Sequence, residues 1–188
     1  MTLLKPPHPF RLRPMRLSDI PTVMAIEEAA FPVPWRASAY EYEITKNRVA
    51  SYQVLTAQIG DQPLRVLGYG GYWRLADEAH VSTIAVDSKW QGEGLGELLL
   101  LSMLLLCYRE QAQIATLEVR QSNVSAQSLY KKYLFEVVGE RRRYYQNRED
   151  AIIMTVSPLD NSYKKFLDRS KERLFAKLIN AKIKQLHR

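Results

Sequence analysis

A chain of 188 residues, 46% apolar and 25% charged, suits one soluble domain able to bury roughly 70% of the surface that its unfolded form exposes. Its net charge of +7 is uneven: residues 162–188 hold nine Lys/Arg against two Asp/Glu, and residues 1–161 hold 18 of each, so a neutral body carries a basic tail. The longest mainly apolar stretch, Leu98 to Cys107 with Ser102 inside it, is about half of what a bilayer crossing needs, while a lone cysteine excludes an internal disulfide or a multi-thiolate metal centre.

The opening stretch MTLLKPPHPF lacks the apolar segment and small-residue cleavage site of a secretory signal, so a cytoplasmic location is expected. Phe10 to Arg13 reads as a short strand. Ser18 or Asp19 is placed to cap a helix with Pro21 in its first turn and Ile20, Val23, Met24, Ile26 and Phe31 on its apolar face. The segment Phe31-Pro32-Val33-Pro34-Trp35 breaks that helix, and a shorter one follows near Ser38 to Thr45. Strands Ala50 to Gln58 and Leu64 to Trp73 flank Gly60-Asp61-Gln62-Pro63, a hairpin signal. A third strand, Glu78 to Val86, extends the antiparallel meander. Beyond three alternating glycines come a long buried helix that includes Cys107, strand Ile114 to Arg120, helix Asn123 to Tyr133, and strands Phe135 to Glu140 and Ala151 to Val156. The order is α+β with a βαβ centre.

Gly92, Gly94 and Gly96 lie between a strand and a helix start, where free backbone N–H groups and the helix dipole favour an anion. A P-loop would need Gly-Lys-Ser/Thr, but Glu97-Leu98 follows Gly96. A dinucleotide fingerprint would need G-x-G-x-x-G, and an antiparallel meander is the wrong prelude to a doubly wound sheet. A plain strand-to-helix turn with no ligand stays open, although it would need no third glycine. The remaining reading is an acyl-CoA loop. Gln91-Gly92-Glu93-Gly94-Leu95-Gly96 resembles the Q/R-x-x-G-x-G/A signature of the GCN5-related N-acetyltransferase (GNAT) superfamily. "TIAVDSKWQGEGLGELLL", "LEVRQSNVSAQSLY", "REDAIIM" and "AFPVPW" resemble successive blocks of its ribosomal-protein-alanine subfamily, over about Leu12 to Ser157. Two positions depart from the pattern: Ser88 stands where many relatives have proline, and Leu134 where glycine usually precedes Phe135.

That resemblance implies a GNAT fold, a mixed central sheet splayed in its middle with flanking helices, here extended by a basic C-terminal helix. It implies acetyl-CoA as cosubstrate and no metal, with main-chain groups of Ile84, Ala85 and Val86 on the pantetheine. Gln91, Gly92, Glu93, Gly94, Leu95 and Gly96 would hold the pyrophosphate, and Asn123 would be a further CoA contact. The subfamily's base and acid map onto Glu118 and Tyr130. Acetyl transfer must take a proton from an amine and return one to a thiolate, and these two side chains suffice. Glu118, partly buried, is expected to titrate high or to pair with Arg120 or Arg143. Tyr130, ordinarily near pKa 10, is expected to protonate the thiolate only mildly uphill. His80 reads as a satisfied strand histidine.

An N-terminal amine suits one carboxylate base better than a lysine does, because it deprotonates about 2.4 pKa units, or about 3.3 kcal/mol, more easily. Pro34, Trp35, Tyr144 and Tyr145 would border the peptide channel, and Arg141-Arg142-Arg143 would either attract an acidic partner or end a strand in solvent. The expected function is N-terminal acetylation of a ribosomal protein alanine within domain 1–161. A lysine or small-amine acetyltransferase and a non-catalytic CoA- or RNA-binding module stay open. In the tail, 162–188, Phe175, Ile179, Ile183 and Leu186 suggest an apolar helix face opposite Arg169, Arg173, Lys177 and Lys184. That face would pack on the body, dock on a ribosome or rRNA, or, less favourably, meet a membrane.

Overall fold

The computed structural model describes residues 3–58 and 64–186, with side chains described as far as residue 180; the turn expected at 60–63 lies outside the described residues. Seven strands form one sheet in the order β1-β2-β3-β4-β5-β7-β6. They are β1 Phe10–Pro14, β2 Ala50–Ala57, β3 Arg65–Leu75, β4 Glu78–Val86, β5 Ile114–Arg120, β6 Glu136–Arg141 and β7 Ala151–Val156. Among the described residues five α-helices accompany them: α1 Ile20–Ala30, α2 Ala37–Thr45, α3 Leu95–Arg109, α4 Val124–Lys132 and α5 Asn161–Leu186. The expected mixed sheet is present, antiparallel throughout except for the β4–β5 pair.

The parallel ladder joins only Glu78 to Ile114, Ala79 to Ala115 and His80 to Thr116. Beyond it β4 stays paired with β3 as far as Val86, and β5 stays paired with β7 as far as Arg120, so the sheet opens into two halves. The break coincides with a bulge. Tyr72 faces Val81 and Gly71 faces Thr83, which leaves Ser82 as an extra residue, and the added local twist turns β4 away from β5.

α3 is buried on nearly all sides, from Leu95 to Cys107 with only Gly96 less covered. Such a helix needs a cover on two faces. The sheet supplies one and α5 the other, through Tyr163, Leu167, Leu174 and Leu178 in the same apolar cluster. The buried face of α5 therefore runs Tyr163, Leu167, Ser170, Leu174, Leu178. The expected stripe is displaced: Phe175 is only partly covered and Ile179 is 46% exposed, while the side chains of Ile183, Lys184 and Leu186 lie outside the described residues. Arg169, Arg173 and Lys177 are exposed, as that stripe required.

Two local expectations need revision. Asp19 does not cap α1 with its side chain. It accepts instead from the Arg16 N–H at 2.8 Å and from both Arg13 guanidinium nitrogens at 2.6 and 2.7 Å, pinning β1 to the helix entrance. Leu134, where the resemblance implied a glycine, has a left-handed φ of 65° with its side chain 52% exposed, so the turn adopts a conformation suited to glycine at a cost of about 1–2 kcal/mol.

Candidate functional site

The two halves of the split enclose a cavity of about 960 Å³, with Val81–Ile84 on one wall and Leu117–Arg120 on the other. Glu118, Asn123 and Tyr130 open into it, and Pro34, Trp35, Tyr144 and Tyr145 close its outer side. Eight of the residues singled out from sequence, Ile84 included, thus meet in one space. Ala85 and Val86 do not line it: both are buried and laddered to β3, opposite Tyr69 and Gly68. Gln91 to Gly96 lie past the end of β4, also outside that lining.

At the mouth of the split, Glu118 sits between two cationic-type partners. Its Oε2 is 2.9 Å from His80 Nε2 and its Oε1 is 3.1 Å from Arg141, with the Glu118 side chain only 7% exposed. A carboxylate only accepts, so the imidazole places its Nε2 proton in this bond. His80, Thr116 and Glu118 share a face of the sheet because His80 pairs with Thr116 and strand side chains alternate. The expected partners are elsewhere: Arg120 binds Glu149 at 2.7 Å, and the Arg143 N–H donates to Asp150. The expected direction of titration is also reversed. The His80 hydrogen bond, ahead of burial, holds the Glu118 carboxyl below the ordinary glutamate range, with Arg141 adding to it. Trp73 stacks on His80 at 5.5 Å and Trp35 on Trp73 at 6.4 Å, a file of rings leading from the channel wall to Glu118.

Tyr130 packs against Phe135 at 5.9 Å, and burial raises its hydroxyl well above the tyrosine norm. It is a harder acid than expected, and one that stays protonated throughout the neutral range. Asn123 caps α4, its carboxamide oxygen accepting from Ala126 N–H at 3.1 Å, which commits one end of the side chain that a CoA contact would use. On the outer wall, the Arg120 guanidinium lies 3.8 Å from the centre of the Tyr145 ring and Arg141 lies 5.3 Å from that of Tyr144. Burial raises the Tyr145 hydroxyl to about 12.

A further residue, absent from the sequence expectations, holds the opposite wall. Glu27 on α1 is 2% exposed. It accepts from the Trp35 N–H and the Tyr40 hydroxyl, both at 2.9 Å, and from the Tyr69 hydroxyl. Desolvation raises its carboxyl above the usual range. The bond to Trp35 fixes the Phe31–Trp35 loop from beneath. Next to Glu28 on a helix, Glu27 has no local sign of this role.

The glycine loop fits a phosphate group. Gly92 and Gly94 hold φ of 81° and 86°, and a Cβ on Gly92 would meet nothing within 4 Å, which leaves the backbone open to an approaching group. Gly96 follows in the first turn of α3, its missing Cβ facing Val86 at 3.8 Å. Gln91 braces the loop by donating to the Val86 carbonyl at 3.2 Å, and Leu95 anchors it in the core. Among the described residues no His, Cys, Asp or Glu group is arranged to hold a metal ion.

Comparison with known proteins agrees with this geometry. The family model described as acetyltransferase (GNAT) domain matches residues 30–155. The ribosomal protein bS18-alanine N-acetyltransferase of Escherichia coli strain K12 is 31% identical over 157 residues, 76% of this chain and 93% of that protein. A Bacillus subtilis protein that bears the same name provisionally is 39% identical over 147 residues, 78% of this chain and 94% of its own. The crystal structure of the Escherichia coli ribosomal-protein-S18-alanine N-acetyltransferase superposes with a TM-score of 0.70 at 29% identity, over 79% of this chain and 94% of that one.

Proposed function

The chain belongs to the GNAT acetyltransferase family, and from that premise we propose that it acetylates the N-terminal alanine of a ribosomal protein, the acceptor carried in its relatives' names. The observation that carries this reading is the meeting of Glu118 and Tyr130 in one cavity bounded by Trp35, Tyr144 and Tyr145. Acetyl-CoA, the family's donor, would lie along the split with its phosphates at Gln91–Gly96 and its pantetheine beside Ile84, Ala85 and Val86. Asn123 would touch it from the start of α4.

Transfer forms a C–N bond and breaks a C–S bond; the amine gives up a proton and the sulfur takes one. Glu118, anionic at neutral pH, attracts the incoming ammonium and orients its proton. A carboxylate held so low is a weak acceptor on its own. The imidazole of His80 donates to it at 2.9 Å and orients it, and the carboxylate takes the amine proton, directly or through water, as the forming C–N bond acidifies that proton. Tyr130 keeps its proton until the sulfur needs it. Cys107 is fully buried in α3 with its thiol raised by burial, which favours direct transfer in a ternary complex over an acyl-enzyme. Pro34, Trp35, Tyr144 and Tyr145 hold the peptide backbone and admit one chain end.

Every one of these residues lies within 1–161. The exposed Arg169 and Arg173 of α5 would contact rRNA or an acidic ribosomal surface, in keeping with a cytoplasmic enzyme. No helix among the described residues is long and apolar enough to cross a membrane. The reading is tested with labelled acetyl-CoA and peptides varied at their first residue, with an N-blocked, lysine-containing peptide beside them. Label on free N-terminal alanine supports it; label confined to lysine, or none at all, overturns it.

A further inference from the structure

α5 lies outside the family match, which ends at residue 155, yet its later turns reach the glycine loop. A Cβ on Gly94 would stand 3.2 Å from Leu174 Cδ1, 3.6 Å from Lys177 Nζ and 3.9 Å from Leu178 Cδ2. Leu174 and Leu178 are 2% and 3% exposed, so burial of these two neighbours fixes the turn that carries Lys177. We propose that α5 is part of the acetyl-CoA site, with Lys177 binding a phosphate of the cosubstrate beside the Gln91–Gly96 backbone. The proposal rests on the reading of that loop as the phosphate cradle.

Charge is the core of the argument. The first turn of α3 carries the positive end of the helix dipole. Its own acid, Glu97, is already committed to Lys132 Nζ at 2.6 Å and to the Tyr133 hydroxyl at 3.0 Å. The Lys177 ammonium adds a second positive centre at the same place. Among the described residues it has no carboxylate at ion-pair distance, whereas Lys164 and Lys171 of the same helix both pair with Asp168. Two positive features face one loop, whose own acid Glu93 forms no ion pair with Lys177 or any other side chain among the described residues, and a phosphate between them would satisfy both. CoA carries two such groups, the pyrophosphate and the ribose 3′-phosphate, and either meets this chemistry.

The test is calorimetric titration of CoA and of 3′-dephospho-CoA onto the full chain. Lys177→Ala is expected to weaken CoA about fivefold, as for a solvent-facing charge pair, and Lys177→Glu further. Lys177→Arg is expected to restore most of the affinity. Lys165→Ala, an exposed change elsewhere on α5, serves as the control. If 3′-dephospho-CoA binds the parent and Lys177→Ala equally, the contact is to the 3′-phosphate; if Lys177→Ala weakens it as well, the contact is to the pyrophosphate. Gly96→Glu probes the loop alone, since its Cβ has room. Lost binding in Gly96→Glu with parent-like binding in both Lys177→Ala and Lys177→Glu overturns the role of α5 and leaves the loop standing. Parent-like binding in all the variants overturns the loop as well.

Discussion

Replacing Glu118 by Gln keeps the side chain's shape and removes the charge on which His80 and Arg141 converge. The structural cost is small, because the amide oxygen still accepts from His80 and the Arg141 side chain is 53% exposed; about 1 kcal/mol is expected. The catalytic cost is large, since the proton-accepting centre loses its anion, and kcat should fall about 10²- to 10⁴-fold. The pH dependence gives a second handle. A carboxyl held below its unfolded value contributes stability that is fully present above that value, about 4.5, and is lost as the pH falls through the folded one. The stability gap between parent and variant should therefore close on acidification. Steady-state release of free CoA thiol reports kcat, and urea unfolding near neutrality and at successively lower pH reports the gap. A variant with kcat close to the parent's, or a gap that widens in acid, refutes the assignment.

Tyr130→Phe should lower kcat by about 10²-fold or more with acetyl-CoA affinity unchanged, read by the same thiol assay and by calorimetry. Glu27→Leu leaves the Trp35 N–H and the Tyr69 hydroxyl without their acceptor, while the Tyr40 hydroxyl keeps only Tyr69 at 3.2 Å; a loss of about 3 kcal/mol in urea unfolding and a raised KM for peptide but not for acetyl-CoA are expected. Leu134→Gly relieves a left-handed φ of 65° and should gain up to about 1 kcal/mol in the same unfolding measurement.

What the sequence made legible is local. The strand–glycine–helix unit, Glu118 on β5 and Tyr130 one helix later lie in contiguous blocks, and each block carries its own geometry. His80 was missed as a partner of Glu118 because their meeting depends on a three-pair parallel ladder between strands 38 residues apart, and no local pattern encodes that register. The same gap reversed the expected titration of Glu118: burial alone raises a carboxyl, and only the partners reveal that it is lowered. Glu27 was hidden by its setting, an acid followed by an acid on an amphipathic helix, whose inward turn depends on Tyr40 and Tyr69 from other elements. In α5 two apolar stripes compete. Packing on α3 selected Tyr163, Leu167, Leu174 and Leu178, a choice set by the partner helix rather than by α5 itself. The Gly94 turn, by contrast, was readable as a place for glycine, but not as the place where α5 lands.

The most direct measurement takes unacetylated ribosomal protein bS18, acetyl-CoA and the purified full chain, and maps the product by intact and fragment mass. The account predicts one added acetyl group, on the N-terminal alanine, formed by the parent and lost when Glu118→Gln and Tyr130→Phe are combined. Acetyl groups found only on lysines, or an N-terminal product formed equally by the double variant, would contradict it.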